Sequence, residues 1–398
     1  MFWQLIHIID IALWLLMAAS VVYIFFFALV STLWKKRVSR LTRYLTGQVL
    51  AMRNKEHFSY LILYPAYNED RVIVNSVQKF LSQYYPYNCF HVVVISDHMQ
   101  PETNQKLSEL PITLLQPVFE KSSKAKAMQY AMDQIKDDYD FIVILDADNV
   151  VEPHFLEQLD TECAKGYKAI QCHRCAKNSD NDVAVLDGVS EEINNTIFRK
   201  AHNRIGLSSA LIGSGMCFDF QWFKENVHKL TTAGEDRELE ALLLQQKVYI
   251  QYEPDIHVFD EKVSNKDNFQ KQRLRWMTAQ IQSLFRMLPC IPKAIMTFNL
   301  DFIDKTIQQA LIPRSMLVVI TLAISLLMTI VSRTWCIKWW CLFLAVCIAL
   351  YIATPKQLRR HSVFGKILSL PTLVWKMILN ILKIDRRNTD FIHTSHDK

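Results

Sequence analysis

The chain has 398 residues, 51% of them hydrophobic and 21% charged, with a formal net charge of +6. The length allows one large or two ordinary domains, and the apolar residues concentrate at the two ends, which excludes a uniformly water-soluble chain. Much of the basic excess flanks those ends, so the charge calls for no nucleic-acid partner.

In chain order, the first element is the run LIHIIDIALWLLMAASVVYIFFFALVSTL from Leu5 to Leu33, which carries a single carboxylate, Asp10. It is long enough to cross a bilayer core of roughly 30 Å even when tilted. The basic cluster Lys35, Lys36, Arg37, Arg40 and Arg43 follows the run instead of preceding it. That order favours a spanning helix over a cleaved leader and places the cluster on the cytoplasmic side.

From Phe58 to Tyr252 short apolar runs alternate with helical patterns. The strand candidates are YLILYPAYNE, FHVVVISDH, ITLLQP, FIVILDADN and YKAIQCH, with helices such as Asp70 to Ser82 and Ser122 to Ile135 between them. Alternation of this kind predicts an α/β domain with a mostly parallel sheet covered on both faces. No Gly-x-Gly-x-x-Gly follows the first strand, so a nicotinamide or flavin fingerprint is absent.

The chemically rich residues fall at strand ends, where such sheets bind ligands. Tyr67 and Glu69 end the first strand and Asp97 the second. LDADN places Asp146 and Asp148 two residues apart, a spacing that points both carboxylates the same way and suits a hard cation such as Mg2+ or Mn2+. A turn with helix-capping aspartates is the alternative. Lys124 lies near a helix start, where a lysine and backbone N–H groups suit a diphosphate. Downstream, TAGEDRELEALLLQQ opens a helix with Glu235 and Asp236. Acidic residues favour helix N-termini for dipole reasons alone, and the functional reading makes Asp236 a general base.

Further on, QRLRW sits where the chain turns apolar. In a helix, Gln272, Arg275 and Trp276 share a face while Arg273 points elsewhere. Such a face can grip a phosphate and stack on a sugar. Met277, Ile281, Leu284, Phe285 and Leu288 then form an apolar stripe suited to the membrane surface. Met316 to Val331 and Trp339 to Ala353 read as a transmembrane hairpin. Val363 to Ile384, interrupted by Lys376, Asn380 and Lys383 on one face, reads as an interfacial helix. The expected organisation is a transmembrane helix (1–34), a basic linker (35–57), a cytoplasmic α/β domain (58–276), interfacial helices (277–310), a transmembrane hairpin (311–355), and an interfacial helix with a polar tail (356–398). The pair Cys172 and Cys175 lacks a second ligand pair and reads as structural, and His91, His154, His173 and His257 read as packed or solvated.

The ordered set PAYNED (65–70), SDH (96–98), Lys124, DAD (146–148), GSGM (213–216), GED (234–236) and QRLRW (272–276), with membrane helices on both sides, resembles the membrane-embedded family 2 glycosyltransferases. These include cellulose, hyaluronan, chitin-oligosaccharide and poly-N-acetylglucosamine synthases, and ceramide glucosyltransferases. The resemblance implies a nucleotide-sugar-binding glycosyltransferase A-type domain flanked by transmembrane and interfacial helices, in a multi-pass protein of the cell membrane. Tyr67, Glu69, Asp97, Lys124, Asp146, Gln272 and Arg275 would bind a UDP-sugar, with Asp146 and Asp148 holding Mg2+ or Mn2+. Gly213, Ser214, Gly215, Glu235 and Trp276 would lie at the acceptor, and Asp236 would be the base of an inverting transfer. Two departures stand out: His-Met-Gln follows Asp97 where many relatives carry small turn residues, and Lys124 lacks flanking glycines.

The leading reading is synthesis of a β-linked polysaccharide or oligosaccharide. A second is transfer of one sugar to a ceramide- or polyprenol-type lipid, and a third is an inactive membrane subunit that binds a nucleotide or glycan. The partners implied are a UDP-sugar, a glycan or lipid acceptor and the lipid bilayer, with an accessory subunit or a homo-oligomer left open.

Overall fold

The computed structural model describes residues 2–34, 55–178, 182–232, 234–262 and 266–359. The basic cluster at 35–43 and the expected interfacial helix at 363–384 lie outside the described residues.

Runs rich in β-branched and aromatic residues become strands β1 (Tyr60–Tyr67), β2 (Phe90–Asp97), β3 (Thr113–Leu115), β4 (Phe141–Ile144), β5 (Val150–Val151), β6 (Ala169–Ala176), β7 (Met216–Asp219) and β8 (Ile250–Asp260). They form one sheet in the order β3-β2-β1-β4-β7-β6-β8-β5. β1 pairs in parallel with β2 and β4, β2 with β3, and β6 with β8. β7 runs antiparallel to β4 and β6, and β5 antiparallel to β8. The five expected strands are present. β5, β7 and β8 were not expected, and β5 and β7 supply the antiparallel pairings.

Two registers position the site. Tyr67 lies opposite Asp97 at the carboxyl ends of β1 and β2. Ile144, the last residue of β4, pairs with Leu63, so the DAD segment emerges beside the upper half of β1.

Helices cover both faces, which is why the central strands read as continuous apolar runs. Tyr60, Ile62 and Tyr64 bury on one face with α2 (Ile73–Phe80). Leu61 and Leu63 bury on the other with α4 (Lys124–Gln134), whereas α3 (Pro101–Ser108) joins the first face through Leu107. α5 (Phe155–Cys163) joins the first face through Phe155, Leu156 and Leu159. α6 (Asp182–Asn194) continues through a π-helical segment, Asn195–Ala201, and α7 (Phe220–Asn226) follows β7. α8 (Glu235–Gln245) packs Leu239, Leu243 and Leu244 on the second face.

Gly215, just before β7, has φ +61°, and a Cβ there would sit 2.9 Å from Val258 Cγ2. Gly215→Ala is expected to destabilise the chain by roughly 1–3 kcal/mol, because it adds a side chain in a left-handed conformation against a packed strand. Denaturant unfolding in detergent, scored against the parent, checks it; unchanged stability would mean that β7 and β8 are less tightly opposed than described.

α9 (Lys266–Met287) runs without a break through position 276. Met287, Ala294 of α10 (Ile291–Met296) and Phe302 of α11 (Leu300–Ala310) bury in the same core as α8. The apolar stripe on α9 divides: Met277 packs on Met316, whereas Phe285 and Leu288 are about half exposed, at 50% and 46%.

Among the described residues, three helices are long and apolar enough to cross a membrane: α1 (Phe2–Leu33), α12 (Arg314–Val331) and α13 (Arg333–Ala353). The hairpin turns at Ser332, whose Oγ accepts the Trp335 N–H at 3.4 Å. That cap starts α13 at Arg333, ahead of the expected Trp339. α1 packs on α13 through Val21, Ile24 and Ala28 against Trp339, Val346 and Ala349. Asp10, out of place in an apolar run, pairs with Lys338 and accepts the Trp339 indole N–H at 2.8 Å. A carboxylate inside an apolar helix is costly unless neutralised in this way.

Candidate active site

Two tight turns shape the carboxyl ends of β1 and β2. Asn68 (φ 54°) and His98 (φ 58°) adopt the left-handed region immediately after the two strands. The Asn68 N–H donates to the Asp97 carbonyl at 3.2 Å, which locks the turns together. Asp97 is buried and its carboxylate meets His98 Nδ1 at 2.6 Å. His98 in turn lies 5.4 Å from the Tyr67 ring. The histidine that departs from the small turn residue of many relatives therefore takes one oxygen of the carboxylate expected to read the base.

After β4, the Asp146 N–H donates to Asn149 Oδ1 at 3.0 Å, closing the DADN turn. The Asp148 carboxylate accepts the Glu261 N–H at 2.7 Å and the Asn149 amide at 3.0 Å. Lys124 opens α4, where the Ser123 side chain accepts the Lys126 N–H. Its ammonium pairs with Asp146, donates to the Gly213 carbonyl at 2.6 Å and lies 3.7 Å from Glu235. Burial disfavours both charges, yet the pair prevails: Asp146 is held below the usual carboxylate range and Lys124 above the usual lysine range. The lysine expected beside a diphosphate thus also holds a carboxylate and the Gly213 loop together.

Glu235 and Asp236 form the first turn of α8. Gly213 (φ +80°) faces them, and a Cβ there would lie 3.5 Å from Glu235 Oε1 and 3.8 Å from Asp236 Oδ2. The Asp236 carboxylate accepts the Arg237 N–H at 2.8 Å. Burial pushes Glu235 up to about 7, with Asp236 adding to the shift and Lys124 opposing it. A carboxyl that holds its proton more tightly when folded, about 7 against the ordinary 4.5, favours folding at low pH and loses that contribution as pH rises through about 7. In donor-free, metal-free protein the melting temperature is therefore expected to fall between those pH values, and Glu235→Gln to flatten the fall. A wild-type curve no steeper than that of the variant would contradict it.

One cavity of about 680 Å³ joins these groups. Tyr67, Glu69, Asp97, Lys124, Asp146 and Asp148 line one end. Gly213, Glu235 and Asp236 line the middle, and Gln272, Arg275 and Trp276 of α9 close over it. Gln272 Oε1 is a buried acceptor without a hydrogen-bond partner. Arg273 donates to Asp187 at 2.6 Å and lies over the Trp276 ring at 4.8 Å, so the indole is held by its neighbour on the helix.

Of the expected residues, Ser214 and Gly215 are not on the cavity wall. The Ser214 hydroxyl is fully buried and donates to Asn149. Gly215 belongs to the sheet, its N–H on Ile144 and its carbonyl on Cys172. Only Gly213 of that motif reaches the cavity.

Arg174, Asp260 and Glu261 line the same cavity and were missed. Arg174 sits 3.4 Å from Asp260 and 3.5 Å from Glu191. The signal was available for the acids: IQYEPDIHVFD alternates in burial as a strand does, and its end delivers them. Asp146, Asp148 and Glu261 offer carboxylate oxygens at one end of the cavity, a donor set that fits a hard divalent cation.

A mostly parallel sheet carrying acidic strand ends, a lysine between two carboxylates and a helix across the cavity make up an α/β cleft with its charged groups at the strand ends. The chain belongs to the glycosyltransferase-like family 2, whose model matches residues 58–279. No curated protein matches the sequence. Among solved structures, the mannosyltransferase PcManGT from Pyrobaculum calidifontis, in complex with GDP-Man and Mn2+, is similar at 14% identity and a TM-score of 0.49, covering 92% of this chain and 98% of that one. S. aureus TarS 1–349 in complex with UDP-GlcNAc is similar at 13% identity and a TM-score of 0.44, covering 81% and 89%.

Proposed function

We propose that the protein is an inverting glycosyltransferase that moves a sugar from a UDP-sugar to a hydroxyl of an acceptor held at the membrane surface. Asp236 accepts the acceptor's proton as its oxygen attacks the anomeric carbon. The bond from that carbon to the diphosphate breaks, and UDP leaves with the electron pair from the opposite face. Tyr67, Glu69 and Asp97 bind the nucleoside, and Lys124, Arg275 and Gln272 bind the diphosphate. Arg275 and Lys124 offset the charge that grows on the leaving group. Glu235 and Trp276 border the acceptor beside Gly213. Bound between Asp146 and Asp148, Mg2+ or Mn2+ would neutralise diphosphate oxygens.

The observation that carries this reading is the reach of the cavity. Beyond Asp236 it continues to Arg314 and Val318 at the start of α12, to Cys347, Leu350 and Tyr351 near the end of α13, and to Ile24 of α1. These are the ends of the three apolar helices that meet the α/β domain. None of the cavity wall comes from residues 319–346 or from α1 before Ile24. A thread of polymer crossing the membrane through this chain would need walls along the helices. Ile24, Val318 and Leu350 on the wall support a lipid-borne acceptor, and we rank transfer to a lipid ahead of polysaccharide synthesis, with the α/β domain in the cytoplasm.

The test uses purified full chain in nanodiscs with Mg2+ or Mn2+, labelled UDP-sugars, and lipid extract or soluble oligosaccharide as acceptor. One sugar on extractable lipid is expected. A ladder on the oligosaccharide would restore the polysaccharide reading, and no transfer with either acceptor would leave a binding subunit.

A further inference from the structure

On the sheet face away from the cavity, β6 brings two residues together that look unremarkable in sequence. Two residues apart on an extended strand, His173 and Cys175 share one side, and a register shift on the facing β8 pairs His173 with His257. Arg174 between them points the other way, into the cavity. Glu192 of α6 approaches from above, its carboxylate 2.9 Å from His173 Nε2. The His173 nitrogen, the Cys175 sulfur and a Glu192 oxygen all lie within 4.8 Å of one another. The other ring nitrogen, Nδ1, is held by the Tyr252 hydroxyl at 2.6 Å. An imidazole oriented through its second nitrogen is the usual outer-shell arrangement of a histidine ligand. His257, whose ring is 5.4 Å from that of His173, is the next nitrogen to hand.

We propose that His173, Cys175 and Glu192 bind a borderline-soft divalent metal ion, with zinc the chemical match. One sulfur, one nitrogen and one carboxylate oxygen are zinc's preferred donors, and a thiolate with a carboxylate balances the double positive charge. The fourth position is open to water or to His257. Binding releases the Cys175 thiol proton to solvent. Without a cation, burial and the charges of Glu192 and Asp260 push the Cys175 thiol up to about 12, a field that a bound cation inverts.

The site ties β6 to α6. Both elements line the cavity with their opposite faces: Arg174 from the strand, and Val189, Ser190 and Ile193 from the helix. The metal would therefore brace the acceptor wall without touching the reacting groups. It is distinct from the hard-cation position at Asp146 and Asp148, and it stands whether or not the proposed transfer reaction is correct.

The experiment titrates metal-free full chain in detergent with Co2+, whose visible spectrum and thiolate charge-transfer band report a sulfur ligand. Wild type and Asp148→Asn are expected to bind one equivalent with that band. Cys175→Ser should lose the band, and His173→Gln and Glu192→Gln should weaken binding at least tenfold. All variants would be required to match the parent in circular dichroism and elution volume, and a Cys175→Ala variant replaces any that does not. No band in the wild type, equal cobalt affinity in the Cys175 variant, or loss of the band in Asp148→Asn would each overturn the proposal.

Discussion

Asp236→Asn is expected to lower the turnover number by roughly 10²- to 10⁴-fold, with the donor KM changed by about twofold or less. The substitution keeps shape and the Arg237 N–H contact, made at 2.8 Å to one carboxylate oxygen, and removes only the capacity to accept a proton. Binding of the donor should survive because Tyr67, Asp97 and Lys124, the residues proposed to hold the nucleotide, are left in place on the cavity wall. Initial rates over a range of donor concentrations, paired with melting curves, make the measurement. Glu235→Gln provides the contrast, since Glu235 contacts Lys124 at 3.7 Å and is shifted toward its neutral form. If Glu235→Gln were the silent enzyme and Asp236→Asn the active one, the assignment of the base would move by one residue.

The second large effect is on stability. Glu191 is buried and bonded to Arg199 at 2.8 Å, with Arg174 at 3.5 Å. Glu191→Gln removes the carboxylate partner of buried Arg199 and leaves Arg174 with Asp260 alone, and is expected to cost about 3–5 kcal/mol. Burial alone would raise this carboxyl, but Arg199 and Arg174 bring it from 4.5 to about 2. A carboxylate with a lowered value contributes stability above the ordinary 4.5, and that contribution is lost as pH falls toward 2. Urea unfolding of both proteins should therefore show a gap that is full near neutrality and narrows on acidification. A gap unchanged down to the acid limit would mean that the charge of Glu191 is not what holds the cluster.

The strands expected from the sequence are those with unbroken apolar runs, because a doubly covered sheet needs no alternation. β8 was overlooked because its charged and histidine residues interrupt the run at every second position on a half-exposed face. β7 was hidden because GSGM looks like a ligand loop, and only the positive φ of Gly213 and Gly215 shows where loop ends and strand begins. Acidic residues at strand ends were legible, since an extended backbone dictates where they point. What could not be read was the pairing of residues far apart in the chain: Lys124 with Gly213, Asp148 with the Glu261 backbone, and Arg174 with Asp260 and Glu191. Local periodicity carries no information about such contacts. His173, Cys175 and Glu192 belong to the same class, since each is ordinary until α6 packs on β6 and brings them together.

The unbroken course of α9 has a mechanical consequence. Gln272 and Trp276 cap the cavity, and Met277 on the next turn rests on Met316 of α12. A helix is stiff over such a distance, so any tilt of α12 is transmitted to the groups that line the cavity. Tilt in turn follows the thickness of the surrounding hydrocarbon. If α12 crosses a bilayer, as its length and composition allow, the lipid would be a setting of the machine as well as its solvent, and transfer rates compared between short- and long-chain nanodiscs would read that setting directly.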